Sequence, residues 1–109
     1  MRLKNADRAI ISEAKLRFYL LNPANPRNGG KARLFAALGY TAENWPRLAT
    51  DLRLQHLAEE AIEGRPSIWG RTYVITAPLS GPLGSASIMS VWQIDFGSEV
   101  PRFITAHGA

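Results

Sequence analysis

The chain lacks cysteine altogether and has only two histidines, His56 and His107. Without thiols it has no disulfides, thiol catalysis or thiolate metal sites, which fits a reducing compartment. Because the two histidines lie far apart in the sequence, we expect no dedicated zinc site, and no motif indicates a cofactor.

Long hydrophobic runs are also missing. No segment approaches the ~20 apolar residues that cross a bilayer, and the charged first eight residues lack the apolar core of a secretory signal. We therefore expect a cytoplasmic protein with no membrane partner. With 109 residues, of which 46% are hydrophobic, the sequence predicts a single folded domain over 1–109.

Positive charge is concentrated in the first half of the chain. Residues 1–58 hold ten Lys/Arg and four Asp/Glu, whereas residues 59–109 hold three and five, which gives the net charge of +4. Ten of these cations are arginine, whose planar guanidinium suits bidentate contact with phosphate or carboxylate. This pattern is typical of a protein that binds RNA or an acidic protein, although an ordinary solvated face gives it too.

Helical periodicity marks this same half. Ser12 is a predicted N-cap for a first helix that ends at Asn22 and the proline after it. A second helix is predicted over 31–38, and a third begins near Asn44 with an apolar stripe at helical spacing. His56 continues that stripe and is predicted to lie at the edge of the core.

After about residue 61 the apolar period changes to two, which is typical of strands. The sequence predicts strands over 68–76, 85–96 and 102–106, with a loop over 77–84. Helices followed by strands with short connections indicate an α+β fold. We expect about three N-terminal helices packed on one face of a C-terminal antiparallel β-meander.

A glycine pair and a cation begin the second helix. Gly29 and Gly30 precede Lys31, and the first N–H groups of a helix lack internal partners, so these residues predict a phosphate site to which Arg27 and Arg33 also contribute. The spacing is not that of a P-loop, because no hydroxyl residue follows the lysine. The alternative is that the glycines only provide a flexible loop before an exposed lysine.

Six segments of the chain resemble a family of small uncharacterised bacterial domains, found alone and as C-terminal modules of phage-head and polymorphic-toxin proteins. The segments are Leu20 to Pro23, Gly30 to Phe35, Leu38 to Tyr40 with Asn44-Trp45, Gly70 to Tyr73, Val91-Trp92 and Pro101 to Ala106. The family usually ends its last strand Thr-Ala-Tyr-Pro, whereas this chain reads Thr-Ala-His-Gly, with His107 in place of the tyrosine.

The order of helices and meander also resembles the barnase/EndoU/RelE-like ribonuclease toxins. This resemblance implies cleavage of RNA without a metal ion, which requires a base, an acid and cations that stabilise phosphate charge. His107 is the candidate acid or base, Lys31 and Arg71 are candidate cations, and Thr105 is a candidate hydrogen-bonding residue.

A second class of function stays open beside the ribonuclease. The chain can instead be a non-catalytic module that binds a small acidic protein of antitoxin or immunity type, with strand 102–106 as an edge to which another strand adds. A dinucleotide enzyme is excluded, since the sequence has neither the Gly-rich fingerprint nor βαβ alternation.

Overall fold

The computed structural model describes residues 1–109 as helices followed by a four-stranded sheet. The helices are α1 (Ala14–Leu20), α2 (Lys31–Ala37) and α3 (Trp45–Asp51), and α3 continues into a wider turn, Leu52–His56. The strands are β1 (Ile62–Glu63), β2 (Gly70–Ser80), β3 (Ser85–Asp95) and β4 (Arg102–Gly108). No helix in the chain combines the length and the apolar character that crossing a bilayer requires.

The sheet is an antiparallel meander in the order β1-β2-β3-β4. The strands β2 and β3 pair along their whole length, from Gly70 opposite Asp95 to Ser80 opposite Ser85. The helices lie in the first half of the chain and cover one face of this sheet, so the expected α+β fold is confirmed.

One face of the sheet is buried, because buried and more exposed side chains alternate along β2 from Tyr73 and along β3 as far as Trp92. The buried side chains are Tyr73, Ile75, Ala77 and Leu79 on β2 and Ile88, Ser90 and Trp92 on β3. The helices cover them with apolar side chains that are themselves fully buried, among them Leu16, Leu20, Phe35, Leu48 and Leu52. Burial of this apolar surface is the main favourable contribution to folding.

A β-bulge interrupts the pairing of β3 with β4. Trp92 lies opposite Phe103 and Val91 lies opposite Thr105, so Ile104 is the extra residue on β4. Because Val91 alternates with the buried Trp92, Thr105 pairs with a residue of the sheet face that the helices do not cover.

Three boundaries differ from the sequence-based expectation. The predicted loop over 77–84 is wrong for its first half, because β2 runs to Ser80. Pro78 is tolerated there since β1 pairs only with Tyr73 and Val74, which leaves that side of β2 without a neighbouring strand. The short strand β1 was not predicted, and β4 extends to Gly108 rather than ending at residue 106.

Ser12 takes the place that the sequence predicts, whereas His56 lies deeper in the core than the predicted position at its edge. The Ser12 Oγ accepts the N–H of Lys15 at 3.2 Å and so caps the start of α1. His56 is fully buried, and its ring nitrogens lie 2.8 Å from Ser90 Oγ and 3.2 Å from the carbonyl oxygen of Ala77.

This geometry defines the protonation state of His56. A carbonyl oxygen only accepts, so Nε2 carries the proton and donates to Ala77, while Nδ1 accepts from the Ser90 hydroxyl. The indole N–H of Trp92 then donates to Ser90 Oγ at 2.9 Å. Every polar atom of the network has a partner only while the imidazole is neutral, and burial lowers the pKa of His56.

We predict that the protein loses stability in mildly acidic solution because of His56. The folded-state pKa lies below the ordinary value of 6.5, so the unfolded chain binds more protons, and the free energy of unfolding falls as the pH drops from 6.5 toward the folded-state pKa. Urea denaturation between pH 7.5 and 5 measures this slope. His56→Gln, which cannot titrate, should flatten it, and an equal slope in both proteins would show that His56 is not the cause.

Candidate functional site

Three side chains from three elements meet at the outer edge of β4. The Lys31 ammonium on α2 donates to Thr105 Oγ1 on β4 at 3.1 Å and to the Tyr19 hydroxyl on α1 at 3.3 Å. The Tyr19 and Thr105 hydroxyls lie 3.2 Å apart. We call these three residues the Tyr19 cluster. It is half-buried, and it brings together two predicted site residues that are distant in sequence, Lys31 and Thr105.

Asn28 fixes the relative positions of α1 and α2 in this cluster. Its side-chain amide donates to the carbonyl oxygens of Tyr19 at 2.9 Å and Asn22 at 2.7 Å, and its Oδ1 accepts the N–H of Gly30 at 3.0 Å. Asn28 is 2% exposed, so these bonds are shielded from water. One buried amide therefore ties the end of the helix that carries Tyr19 to the residue before Lys31.

The glycine pair makes the turn that follows Asn28. Gly29 and Gly30 both have positive φ, 63° and 81°, in the left-handed region that glycine adopts without a Cβ penalty. This turn reverses the chain after Asn28 and begins α2 at Lys31. The N–H of Gly30 is already bonded to Asn28, so it is not directed at solvent.

The cluster changes the acidity of Tyr19. Partial burial raises its pKa, but hydrogen bonds from Thr105 and Lys31 and the positive charges of Lys31 and Lys15 stabilise the phenolate, and the net pKa is lowered. The two ammonium groups lie 5.7 Å (Lys15) and 5.8 Å (Lys31) from the centre of the Tyr19 ring. Tyr19 is therefore a better proton donor than an ordinary tyrosine, and its anion is held by two cations.

His107 lies beside the cluster on the same strand. It comes two residues after Thr105, so the two side chains leave β4 on the same side, about 7 Å apart along the strand. Its Nδ1 lies 3.0 Å from the carbonyl oxygen of Gly108 and its ring is half-buried. The Thr105 hydroxyl therefore contacts the Tyr19 phenol, and His107 is the next residue of β4 on the same side of the strand.

Arg71 does not join the cluster. It pairs with Ile94, and its position in the alternation of β2 places it on the helix-bearing side of the sheet, in line with the buried Tyr73. Thr105 instead pairs with Val91, which belongs to the opposite face. A single site that contains both Arg71 and Thr105, as the sequence suggested, is not formed in this structure.

The predicted phosphate-binding residues are also divided between two places. Arg33 follows Lys31 by two residues, and residues at that spacing do not share a face of a helix. Lys31 contacts β4, whereas Arg33 and Gly30 line a groove on the other side of α2. Arg27 is exposed on the turn Pro26–Asn28, where its backbone N–H donates to Asn25 Oδ1 at 2.9 Å.

That groove has a volume of about 670 Å³. It lies between α2, the loop after α1 and the segment before α3. Its apolar surface comes from Leu21, Ala32 and Ala36, and charged side chains at its rim come from Arg33 and Glu43. The groove and the Tyr19 cluster are therefore separated only by the width of one helix.

Sequence reasoning missed Tyr19, Lys15 and Asn28. Tyr19 falls on the apolar stripe of α1 and reads as core, although the structure leaves it half-buried. The spacing of Lys15 and Tyr19, four residues apart on a helix, was a usable signal because residues at that spacing contact each other. Nothing local distinguishes Asn28 from the nearby Asn22 and Asn25, since its importance depends on burial.

One family description matches the chain: a domain of unknown function (DUF6883), over residues 2–109. No curated protein and no solved structure matches it.

We predict that Lys31→Met raises the pKa of Tyr19, because the substitution removes one hydrogen bond and one positive charge from the phenolate. The difference in tyrosinate absorbance between each protein and its Tyr19→Phe counterpart isolates this titration. Tyr40 does not interfere, since burial and its bond to the Asp51 carboxylate raise its pKa. Arg33→Ala, on the other side of α2, serves as the control; an unshifted Tyr19 in Lys31→Met would contradict the contact.

We predict that Asn28→Ala lowers the free energy of unfolding by about 1–3 kcal/mol, since buried carbonyl oxygens lose their donor. The matched control is Asn25→Ala, whose amide donates to the carbonyl oxygen of Phe18 at 3.1 Å in a more exposed setting where water can replace it. Urea denaturation compares the two variants. If both variants lost the same free energy of unfolding, burial of the Asn28 side chain would make no additional contribution to stability.

Proposed function

We propose that this chain, which belongs to the DUF6883 family, cleaves RNA at the Tyr19 cluster by metal-independent acid–base catalysis. The observation that supports this function is the contact of Lys31 with both Tyr19 and Thr105 at 3.1–3.3 Å. It brings a cation, a hydroxyl and a phenol of lowered pKa to one point at the surface.

The reaction transfers two protons and exchanges one bond to phosphorus. The 2′-oxygen of a ribose forms a bond to the adjacent phosphorus, and the bond from phosphorus to the 5′-oxygen of the next nucleotide breaks. A base takes the 2′-hydroxyl proton and an acid supplies a proton to the departing 5′-oxygen. The products are a 2′,3′-cyclic phosphate and a free 5′-hydroxyl.

The side chains around Thr105 fit these roles. The His107 imidazole is the base, because its Nδ1 donates to the carbonyl oxygen of Gly108 and its Nε2 is therefore the nitrogen that can accept the 2′-hydroxyl proton. Tyr19 is the acid, since the phenolate left after it donates is stabilised by Lys31 and Lys15. Lys31 also contacts the phosphate oxygens, where negative charge develops during the reaction, and the Thr105 hydroxyl orients the phosphate.

A second candidate function is supported by a different surface. Ile68, Trp69 and Phe96 are 83%, 66% and 67% exposed, and the N–H of Phe96 donates to the Trp69 carbonyl oxygen at 2.8 Å, so they lie together at one end of β2 and β3. Exposed aromatic residues beside an arginine, here Arg71, are typical of protein interfaces. This surface supports a non-catalytic module that binds a small acidic protein.

The edge of β4 supports such a module less well. Ile10 already pairs with its first residues, since the Ile10 N–H donates to Pro101 and the Phe103 N–H donates to Ile10, both at 2.8 Å. Strand addition is therefore restricted to the part of β4 beyond Phe103, where the Tyr19 cluster lies.

We predict that the purified protein cleaves single-stranded RNA to 2′,3′-cyclic phosphate ends, and that Lys31→Ala and Tyr19→Phe each lower the rate by about 10²-fold or more. Arg65→Ala is the matched control, because Arg65 is an exposed arginine that forms no ion pair. Induced expression in cells, followed by inspection of total RNA, tests the same variants in vivo. Intact RNA with the wild-type chain would reject the ribonuclease and favour the protein-binding module.

The Arg71→Ala variant distinguishes the site seen in the structure, which does not contain Arg71, from the site expected from the sequence, which does. Because Arg71 lies on the other face of the sheet, we expect this variant to retain cleavage within about twofold, whereas the sequence-based hypothesis expects loss. A loss as large as that of Lys31→Ala, at equal folded protein, would contradict the site described here.

A further inference from the structure

We propose that the groove on the far side of α2 binds the base of the nucleotide next to the cleaved bond, and that it prefers bases with an amino group. The proposal rests on the ribonuclease function, because the base belongs to the RNA that is cleaved. Binding of a nucleotide in the groove can nevertheless be measured without cleavage.

The size and surface of the groove suit one nucleotide. Its volume of about 670 Å³ lies in the range of 300–1,000 Å³ that is typical of small-ligand sites. The methyl groups of Ala32 and Ala36 and the side chain of Leu21 give it an apolar floor on which a flat ring can lie.

Two charged side chains at the rim are free to recognise a ligand. Arg33 and Glu43 are both exposed, and neither takes part in any of the ion pairs of the structure. The other polar side chains that line the groove already have partners: Asn28 bonds backbone groups, the Tyr40 hydroxyl donates to Asp51 at 2.6 Å, and the Thr41 hydroxyl lies 3.4 Å from Asn44 Oδ1. Recognition therefore depends on Arg33, which suits a phosphate oxygen, and on Glu43, which accepts N–H groups.

The surface between the groove and the Tyr19 cluster is open. Lys31 and Arg33 leave opposite sides of the same helix, which is about 10–12 Å across with its side chains. At the start of that helix, a Cβ on Gly29 or Gly30 would meet no atom within 4 Å. An RNA chain that crosses this glycine pair can present a phosphate to Lys31 and the neighbouring base to the groove.

The carboxylate of Glu43 sets the preference for bases that carry an amino group. Adenine, cytosine and guanine carry an exocyclic amino group that donates hydrogen bonds, whereas uracil presents carbonyl oxygens in that position. A carboxylate accepts from the amino group, whereas in uracil it is repelled by the two carbonyl oxygens that lie on either side of the single ring N–H. In single-stranded RNA these edges are unpaired and accessible.

The test is a titration of the wild-type protein with adenosine 5′-monophosphate, followed by amide NMR shifts. This nucleotide contains no bond that the proposed reaction cleaves. We expect saturable shifts at Ala32, Ala36 and Thr41, and at least tenfold weaker binding of uridine 5′-monophosphate. Glu43→Gln should reduce that difference to less than threefold.

Two substitutions on α2 provide the decisive comparison. Ala36→Leu extends a side chain into the groove and should weaken binding at least tenfold, whereas Ala37→Leu, at the next exposed position and outside the groove, should leave it unchanged. Both variants keep a strong helix former on a solvent-exposed position, so both should fold.

Three results would overturn the proposal: no saturable shifts in the groove, equal binding by Ala36→Leu and wild type, or the same shifts and affinity with inorganic phosphate alone. Cleavage of RNA combined with any of these would reject the groove and keep the ribonuclease. Nucleotide binding in the groove without RNA cleavage would keep the groove as a nucleotide site and reject the ribonuclease.

Discussion

The buried side chain of Asn28 is the constraint on which both surfaces of α2 depend. It bonds the carbonyl oxygens at the end of α1 and the N–H before Lys31, so it sets the distance between Tyr19 and Lys31. It also lines the groove on the other side. An unpaired buried carbonyl costs about as much as a lost hydrogen bond, so this one amide holds a loop that has little apolar surface of its own.

The second constraint is the bulge in β4. If Ile104 paired with Val91 in regular register, Thr105 would lie opposite Ser90 and would leave the strand on the same side as the buried Phe103. The bulge restores Ala106 to the buried face and leaves Thr105 and His107 on the other. The position of both candidate site residues on this strand thus follows from a single inserted residue.

The sequence predicted those parts of the structure that follow from local pattern. The helices and the long strands follow from periodicity, which also places His56 near the core, and residue type alone indicates Lys31 and Thr105 as candidate site residues. The separation of Arg71 from Thr105 could have been predicted from the sequence, since Arg71 lies at a two-residue spacing from Tyr73 and Ile75 and so shares their side of β2. The bulge and the role of Asn28 cannot be predicted from the sequence, because each depends on contacts between separate segments of the chain.

The residues of α2 divide between packing and two surfaces. Phe35 and Ala32 are buried, Lys31 contacts β4, and Ala36 and Ala37 are exposed. A longer apolar side chain at Ala36 would cover part of the groove and gain about 0.8 kcal/mol for each methylene it buries. With alanine at position 36 this stabilisation is absent, and the floor of the groove stays flat and open. With only seven residues, α2 presents one side to the core, one to the Tyr19 cluster and one to the groove, and the Asn28 turn sets where this helix begins.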